Sequence, residues 1–399
     1  MGKKLSFIMK HPVDDIKGKK SEKLKGKKIV VGITGSIAAV ESVKICRELI
    51  RHGAEVIAVM SRHACEIIHP YAIEFATGKK PILEITGKIE HVFYCGERKG
   101  KADLFLIVPC TANTISKIAL GIDDTPVTTF ATTAIGSKIP VMIVPAMHQS
   151  MYEHPFVTEN MKKLKKKGIH VLRAKIEEGK AKIVEDEEIV ENVIRILGKK
   201  DLKGKKVLII GGATSEFIDD VRVITNLSSG KMALSLAKIA YERGGNVEMW
   251  FNKDALPYIS TKKFTTHKDI VRLIKKEGKY DVIINCAAIS DFMPSKRKGK
   301  ISSGKEMDLH LFPVPRINPL LKKIGSIVVG FKLEAKEEGI KEKAYERLKK
   351  DGLDFIVANT TKSIGSDYMK AWIINKEKKV VIAKGSKEKI AEKIFDCIA

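Results

Sequence analysis

The chain has 399 residues, of which 44% are hydrophobic and 30% charged, and this length and composition indicate a globular protein with two domains of ordinary size. No apolar run approaches the roughly 20 residues that span a bilayer, and the first residues, MGKKLSFIMKHPVDD, hold no apolar segment with a cleavage site, so we expect a cytoplasmic protein without a signal peptide or a membrane partner. The net charge of +25 is spread over many short basic runs without an aromatic-studded motif, which favours a solvated surface over nucleic-acid binding.

The two halves of the chain begin alike. The segments LKGKKIVVGITGS at 24–36 and LKGKKVLIIGGATS at 202–215 each join a basic lead-in, an apolar run rich in β-branched residues and a turn of small residues. This arrangement is typical of the first strand and turn of a doubly wound α/β domain. We therefore predict two Rossmann-like domains, at 1–198 and 199–399.

In the first half, apolar runs alternate with helical patterns. A strand around 29–33 is followed by a helix from Ile37 to His52, and further strands are predicted at 55–60, 102–109 and 139–145. The alternation predicts a mostly parallel sheet with ligand loops at the carboxyl ends of its strands. Those loops are TGSIAA, MSRHA, PCTANT and PAMHQSMY.

Two of these loops offer groups that suit a phosphate. TGSIAA at 34–39 places a glycine and a hydroxyl at a strand-to-helix turn, where backbone N–H groups and the helix dipole favour an anion. PCTANT at 109–114 adds Thr111, Asn113 and Thr114. Helix capping explains either loop alone, and the GxGxxG spacing is absent. Together they indicate a mononucleotide site rather than a dinucleotide site.

Two histidines are candidate catalytic groups in this half. His91 precedes a core strand, and His148 lies in PAMHQSMY after another strand. A single histidine is more often an ordinary surface or core residue. Their placement on two loops of one ligand edge would favour a functional role for both.

The second half repeats the α/β pattern. A strand at VLIIGG precedes a helix from Ser229 to Arg243, and the strands NVEMWF, DVIINCAA, SIVVGF and DFIVANT follow. A hairpin, AWIINKEKKVVIAK, and a helix from Lys387 close the chain. The loops of interest are GGATSE, NLSSGKM, AAISDF and SKRKGKISSGK.

These loops carry amide, hydroxyl, acidic and basic groups. Asn226 supplies an amide, while Ser228 and Ser229 are predicted to cap the following helix; the Walker spacing is absent. Asp291 follows a strand directly and suits a ribose hydroxyl or a metal-bound phosphate. The basic loop is either a solvated segment or a clamp for triphosphate charge.

The cysteines give no sign of a metal or disulfide framework. All six are scattered, without a CxxC pair. We therefore expect reduced thiols and assign no metal ligand to the chain.

At these motifs the chain resembles the bifunctional coenzyme A biosynthesis proteins, in which a phosphopantothenoylcysteine decarboxylase precedes a phosphopantothenate–cysteine ligase. The resemblance runs from about residue 25 to the C-terminus. Its most specific pieces are GSIAA, HVFYCGERKGKADL, PCTANTISKIALGI and PAMHQSMY in one half, and VRVITNLSSGKM, AAISDF, RINPLL and VGFKLEA in the other.

The resemblance implies a flavodoxin-like FMN domain in the N-terminal half. Flavin oxidation of the substrate thiol provides the electron sink that a simple carboxylate lacks, so that CO2 can leave. His91 matches the family's active-site histidine, proposed as a base, and Met147 and His148 match the substrate-binding motif. The implied FMN-binding residues are Gly35, Ser36, Ser61, Thr111, Ala112, Asn113 and Thr114.

Two features of this half depart from the family pattern. The family motif PAMN binds the substrate carboxylate through its asparagine, whereas this chain has PAMH, with His148 in that place. Bacterial relatives carry a flap cysteine that protonates the enethiolate, and the segment RAKIEEGKAKIVEDEEI has none. Glu177, Glu178 and Lys180 are candidate replacements.

The resemblance implies a CTP- and Mg²⁺-dependent ligase in the C-terminal half, acting through an acyl-cytidylate. Asn226 and Lys300 match residues that handle and form this intermediate, and Arg222 matches a contact to the phosphopantothenate phosphate. GGATSE departs from the family's AGPTRE. The implied nucleotide-binding residues are Asn285, Cys286, Ala287, Asp291, Lys300, Asn318, Phe331 and Arg347, the last standing where the family has lysine.

The expected partners are therefore small molecules, namely 4'-phosphopantothenate, cysteine and CTP. The resemblance also implies a homo-oligomer with trimer-based decarboxylase units, paired ligase domains and active sites that use neighbouring chains. An alternative keeps the ligase and makes the N-terminal domain a flavin-binding regulatory or assembly module. A basic nucleic-acid-binding protein is the third and least favoured interpretation.

Overall fold

A computed structural model describes residues 11–304 and 306–398. The chain divides into two compact units, Met1–Gly198 and Lys199–Ala399, and each is described by itself. The first ten residues, which carry most of the segment searched for a signal peptide, lie outside the described part. Within the described part, no helix has both the length and the apolar character that crossing a membrane requires.

The N-terminal unit alternates strands and helices. A 3-10 helix, Ile37–Glu41, precedes the second α-helix. The strands are β1 (Lys28–Ile33), β2 (Glu55–Met60), β3 (Leu104–Cys110), β4 (Val141–Pro145), β5 (Met147–His148), β6 (His170–Val171), β7 (Lys175–Glu177) and β8 (Lys180–Lys182). The helices are α1 (Pro12–Ile16), α2 (Ser42–Arg51), α3 (Arg62–Cys65), α4 (Pro70–Thr77), α5 (Glu90–Cys95), α6 (Ala112–Leu120), α7 (Pro126–Gly136), α8 (Gln149–Tyr152), α9 (Pro155–Lys166) and α10 (Asp186–Leu197).

A parallel sheet forms the centre of this unit, in the order β2-β1-β3-β4-β6. Its strands are apolar at almost every position because helices cover both faces. Ile29 and Val31 of β1 face one core, and Val30 between them faces the other. The strand order reverses between β1 and β3, so the loops after these two strands open a crevice at the carboxyl edge.

The C-terminal unit is built on the same plan with a larger sheet. A 3-10 helix, Thr361–Ser363, lies near its end. The strands are β9 (Lys206–Gly211), β10 (Ser215–Phe217), β11 (Val223–Thr225), β12 (Asn246–Phe251), β13 (Ser260–Lys262), β14 (Tyr280–Asn285), β15 (Phe292–Pro294), β16 (Leu311–Pro313), β17 (Gly325–Glu334), β18 (Phe355–Thr360), β19 (Tyr368–Asn375) and β20 (Val380–Ser386). The helices are α11 (Lys231–Glu242), α12 (His267–Lys276), α13 (Asn318–Leu321), α14 (Ile340–Asp351) and α15 (Lys387–Ile398).

The order of this sheet is β13-β12-β9-β14-β17-β18-β19-β20, parallel through β18 and antiparallel for the final hairpin. Helices α11 and α15 cover one face, and α12, α13 and α14 cover the other. The order reverses between β9 and β14, which places the crevice beside the loops that follow them. The predicted α/β architecture with largely parallel sheets is confirmed in both units.

Local details differ from the sequence prediction at two helix starts. The helix predicted from Ile37 opens with a 3-10 turn capped by Ser36 and becomes α-helical at Ser42. The helix predicted from Ser229 begins at Lys231, and its N-cap is Gly230 without a side-chain hydrogen bond. Ser229 lies one residue before this N-cap, and its hydroxyl accepts from the Lys231 N–H at 3.5 Å, so Ser229 still satisfies one N–H of the first turn, whereas the Ser228 carbonyl accepts from Lys253 Nζ at 2.6 Å.

Candidate active sites

Strand-end contacts assemble the predicted cofactor loops in the N-terminal unit. The buried Thr34 hydroxyl donates to the Pro109 carbonyl at 2.8 Å and accepts from the Thr111 N–H at 3.1 Å. Thr34 thus joins the loop after β1 to the loop after β3. A Cβ on Gly35 would lie 2.5 Å from that of His63, so only glycine lets the loop after β1 approach the helix after β2 so closely.

Three of the four hydroxyl residues predicted to hold the cofactor cap a following helix, and the fourth, Thr114, lies in the first turn of α6. The side chains of Ser36, Ser61 and Thr111 accept from N–H groups in the next turn, at 3.4, 3.3 and 3.3 Å. Because the strands are parallel, all three caps lie at one edge of the sheet. This edge presents helix N-termini, which suit a phosphate group.

A cavity of about 670 Å³ opens at this edge. Its walls come from the 3-10 helix, the PAMH loop and the segment that begins with β8. Ser36, Met147 and His148 line it, together with Lys180, so the structure brings these candidates together. The other predicted FMN contacts follow β1, β2 and β3 outside the lining: Gly35, Ser61, Thr111, Ala112, Asn113 and Thr114.

The flap segment forms a hairpin that pairs with the PAMH loop. Strands β7 and β8 are antiparallel, and β8 also pairs with β5, so that His148 lies opposite Lys180. The Gln149 N–H donates to the Gly179 carbonyl at 3.1 Å. Main-chain contacts therefore hold the flap beside His148, whatever side chains the flap carries.

The ring of His148 has a defined hydrogen-bond arrangement. Its Nδ1 accepts from the Ser150 N–H at 3.3 Å and lies 2.9 Å from the Ser150 hydroxyl. Since Nδ1 accepts, the neutral ring carries its proton on Nε2. Nε2 has no hydrogen-bond partner in the described part of the chain and is available as a donor to a ligand carboxylate.

The three candidate proton donors in the flap differ in position. Glu177 pairs with Lys175 at 2.8 Å, and this hydrogen bond lowers the pKa of Glu177, which makes it a poor acid at neutral pH. Glu178 pairs with Lys182 at 3.1 Å. Neither glutamate lines the cavity, whereas Lys180 does. The geometry favours Lys180 among the three.

His91 lies elsewhere in the unit. It is on α5, and its Nδ1 is buried with no hydrogen-bond partner within the described residues. It is not among the residues that line the 670 Å³ cavity. An unpaired buried nitrogen is costly unless a ligand or another group satisfies it, so its predicted role as a base stays a prediction.

The C-terminal unit has a cavity of about 500 Å³ at the strand-order reversal. Ser290 lines this cavity, and its buried hydroxyl has no hydrogen-bond partner in the part of the chain that the structure describes. An orphaned hydroxyl of this kind is suited to a ligand oxygen. The predicted residues that line the cavity are Asn226, Asn285, Ala287, Asp291, Asn318, Phe331 and Arg347.

A buried carboxylate organises the polar wall of this cavity. The Asp351 side chain is fully buried, and it accepts from Arg316 Nη1 at 2.9 Å and Arg347 Nε at 2.7 Å. Asn318 Nδ2 donates to the same carboxylate at 3.0 Å, and its oxygen accepts from Asn285 Nδ2 at 2.8 Å. One acidic group thus positions two cations and two amides at the cavity.

Sequence reasoning missed Arg316, Asp351 and Ser290. Arg316 begins the segment RINPLL, but one arginine beside an apolar stretch has no specific pattern. Asp351 lies at the end of a lysine-rich helix and reads as a surface residue until the sheet packs against it. These residues are recognised only in the folded structure, where several hydrogen-bond donors meet at one buried carboxylate.

Three predicted residues lie outside this cavity. Cys286 lines a smaller neighbouring cavity of about 170 Å³, and burial raises the pKa of its thiol to about 12, so the thiol is neutral. Lys300 is exposed on the basic loop. Arg222 donates to Asp219 at 2.5 Å and to the Ile301 carbonyl at 3.1 Å. The predicted roles of all three stay predictions.

Two aspartates anchor the basic loop. The buried Asp219 accepts from the backbone N–H of Ile301 at 3.1 Å, and Asp220 accepts from that of Gly299 at 2.9 Å and pairs with Lys296 at 2.7 Å. The basic loop is therefore tied to the turn that carries Arg222. Lys300 lies between the two anchored backbone groups.

Asp219→Asn is expected to lower the free energy of unfolding of the C-terminal unit at neutral pH. The variant should then lose less of its remaining free energy of unfolding between pH 7 and pH 3 than the wild type does. Burial would raise the pKa of Asp219, but the N–H groups of Val221, Ile301 and Arg222 and the Arg222 guanidinium hold it well below its ordinary value. The carboxylate therefore contributes stability that is complete above the unfolded pKa of about 3.9 and is lost as pH falls towards the folded value.

Tryptophan fluorescence during urea unfolding at pH 7 and pH 3 measures this effect, because both tryptophans, Trp250 and Trp372, lie in the C-terminal unit. The exposed Asp254 provides the matched control, Asp254→Asn. A pH dependence of unfolding that is the same in Asp219→Asn and the wild type would contradict the expectation.

Comparison with known proteins identifies both units. Residues 17–198 match the family model described as Flavoprotein, and residues 202–399 match the DNA/pantothenate metabolism flavoprotein C-terminal domain. The coenzyme A biosynthesis bifunctional protein CoaBC of Thermococcus kodakarensis is 48% identical over 398 residues, which cover 97% of this chain and 98% of that protein. The chain belongs to the family of coenzyme A biosynthesis bifunctional proteins.

Another family member and two solved structures are also similar to this chain. The CoaBC protein of Methanocaldococcus jannaschii is 42% identical, with 98% of each chain covered. A DNA/pantothenate metabolism flavoprotein from Streptococcus pneumoniae is 28% identical over 49% of this chain and 98% of its own, with a TM-score of 0.44. The C-terminal domain of a CoaBC protein is 25% identical over 50% of this chain and 96% of its own, with a TM-score of 0.41.

The resemblance inferred from the motifs is therefore confirmed by the full-length relatives. As a member of the CoaBC family, the chain combines a flavoprotein decarboxylase domain with a ligase domain. These are the two activities that the ordered motif sets predicted.

Proposed function

We propose that the chain joins cysteine to 4'-phosphopantothenate with CTP and then decarboxylates the product to 4'-phosphopantetheine with bound FMN. The observation that carries this proposal is the gathering of each motif set at the strand-order reversal of its own sheet. In the N-terminal unit, Ser36, Met147 and His148 line a cavity closed by a flap, and the other cofactor loops follow strands that end at the same edge of the sheet. In the C-terminal unit the predicted residues line a cavity with a buried ion-pair network. A doubly wound sheet binds its ligand at this position.

The N-terminal site fits a flavin mononucleotide. Gly35 leaves room beside His63, and the capped helix starts after Ser36, Ser61 and Thr111 offer N–H groups for the phosphate. FMN, when bound, supplies the two-electron acceptor that makes loss of CO2 from the oxidised substrate feasible. His148 binds the substrate carboxylate through Nε2, and the flap hairpin excludes water from the site.

The C-terminal site fits the activation of a carboxylate by a nucleotide. The carboxylate of 4'-phosphopantothenate attacks the α-phosphorus of CTP, pyrophosphate leaves, and the amine of cysteine then displaces CMP from the acyl-cytidylate. Arg316 and Arg347 offset the negative charge in the cavity, and Asn226 donates to the acyl-phosphate oxygens.

Magnesium enters this site mainly with the nucleotide. The described residues hold no cluster of three or more histidine, cysteine, aspartate or glutamate side chains that could bind a metal ion. Asp291 is an acidic residue of the cavity lining. Mg²⁺ commonly uses one or two carboxylates together with substrate phosphates, and this site is compatible with that mode.

The proposed assembly is a homo-oligomer with trimeric decarboxylase units and paired ligase domains in the cytoplasm. Large apolar side chains are exposed in both units, and examples are Tyr71 and Phe75 in the first and Phe292 and Phe312 in the second. Exposed clusters of this kind support contacts between copies of a chain. Analytical ultracentrifugation of the full-length protein and of each domain expressed alone measures the number of copies in each assembly.

The test of the proposed function is turnover with each intermediate supplied separately. Phosphopantothenate, cysteine and CTP together should release pyrophosphate, and 4'-phosphopantothenoylcysteine alone should release CO2. The purified protein should show flavin absorbance. Protein that is colourless under every preparation would refute the FMN assignment, and flavin-bound protein that releases no CO2 would favour a regulatory or assembly role for the first domain.

A further inference from the structure

Lys387 is a buried cation without an acidic partner. It begins α15, its exposed fraction is 7%, and it lines the 170 Å³ cavity beside the larger ligase cavity. Its Nζ donates to the Ser363 carbonyl at 3.3 Å. Within residues 11–304 and 306–398, no carboxylate lies within 4 Å of it.

The surroundings of Lys387 increase the need for a counter-charge. Burial lowers the pKa of Lys387, and the positive charge of Lys231 lowers it further, while Asp367 opposes both effects. Asp367 is itself paired with Lys231 at 2.7 Å and is largely exposed. An ammonium group that has left water without an ion partner is costly, so an anion bound in this cavity would stabilise Lys387.

The same cavity contains a second group suited to an anion. Ser228, Ser229, Gly230 and Met232 line it, and these residues lead into the first turn of α11. Gly230 has φ +76° and offers no side-chain acceptor, and the Lys231 N–H donates to the Ser229 hydroxyl at 3.5 Å. Within residues 11–304 and 306–398 the N–H groups of Met232 and Ala233 have no side-chain acceptor, so these two at the start of this twelve-residue helix are left for a ligand. Lys387 and the N-terminus of α11 therefore line the same 170 Å³ cavity.

We propose that Lys387, with the first turn of α11, binds a phosphate-bearing anion in this cavity. The inference rests on the proposed ligase function. Leu227, Ala287 and Phe331 belong to the walls of both cavities, so a ligand in the larger one can extend its phosphate into the smaller one. The anion is either the polyphosphate of the nucleotide or the phosphate of 4'-phosphopantothenate.

Lys387→Met tests this site, with Lys393→Met as the matched control on the exposed face of the same helix. Calorimetry on the full-length protein measures binding of inorganic pyrophosphate. Loss of a charge-assisted hydrogen bond should weaken binding by about tenfold or more in Lys387→Met. The control should stay within about twofold of the wild type.

Thermal unfolding separates ligand binding from a structural role. Removing an unpaired buried charge should leave the Tm of the ligand-free Lys387→Met protein equal to or above that of the wild type. The increase in Tm that pyrophosphate produces in the wild type should be lost. If Lys387→Met does not fold, Lys387→Gln removes the charge while keeping a donor for the Ser363 carbonyl, and the same loss is expected.

Steady-state kinetics identify the source of the phosphate. A raised KM for CTP alone would assign the anion to the nucleotide, and a raised KM for 4'-phosphopantothenate alone would assign it to the acyl substrate. Unchanged pyrophosphate binding and unchanged KM values in both charge-free variants would overturn the inference. A wild-type protein that lacks ligase turnover would instead refute the proposed function, a result that is distinct from an active wild type with unaffected variants.

Discussion

Asp351→Asn is expected to lower the ligase kcat/KM for CTP by about 100-fold, because breaking a buried ion pair costs about 3–5 kcal/mol and part of that cost appears as misplaced ligand contacts. The buried carboxylate positions Arg316, Arg347 and Asn318 at the cavity. A neutral amide cannot accept from all three and leaves two cations without their partner. Flavin absorbance and CO2 release should be unchanged.

Glu342→Gln is the matched control for this change, because Glu342 is exposed on the same helix, α14, and its replacement also removes one negative charge. Ligase activity in this control should equal that of the wild type. Tryptophan fluorescence reports whether Asp351→Asn has unfolded the C-terminal unit. A folded Asp351→Asn protein with wild-type kcat/KM would contradict the positioning role of Asp351.

His148→Ala is expected to lower kcat/KM for CO2 release by about 100-fold, the usual loss when one oriented hydrogen-bond donor to a reacting group is removed. Because Nδ1 accepts from Ser150, Nε2–H is the ring donor that this cavity-lining residue has left for a ligand. His148→Asn restores a neutral donor at the same loop and should retain most of the activity. Flavin content and pyrophosphate release should be unaffected by either change.

His154→Ala controls for loss of an exposed histidine a few residues further along the chain. CO2 release from 4'-phosphopantothenoylcysteine is the measurement for all three variants. Equal loss of bound flavin and of activity in His148→Ala would indicate a scaffold role instead. Loss of activity in His148→Asn as severe as in His148→Ala would mean that the imidazole does more than donate a hydrogen bond.

The sheet strands and main helices were predictable because their signal is local. Strands β1, β3 and β9 are buried on both faces, so each appears in the sequence as an uninterrupted apolar run. The small strands β10, β11, β15 and β16 were not predicted. Each is three residues long and pairs over three residues, which is too short for an alternating pattern to be recognised in the sequence.

The candidate sites were predictable only where a motif follows a strand. Asn226, Asp291 and His148 lie on such loops and reach the cavities. Asp351 and Lys387 lie on amphipathic helices among many charged residues, and their importance depends on burial by elements elsewhere in the chain. Local pattern cannot distinguish one buried charge from its solvated neighbours.

Arg347 shows how a substitution relative to the family pattern can add a capability. It donates to Asp351 through Nε and lines the cavity, and its two terminal nitrogens have no partner within the described residues, which leaves four N–H bonds for a ligand. Lysine, with a single nitrogen, would have to share that atom between its helix partner and the ligand. In this chain Arg347 can therefore stay bonded to Asp351 while it binds a ligand of the cavity, and release of that ligand need not break the bond to Asp351.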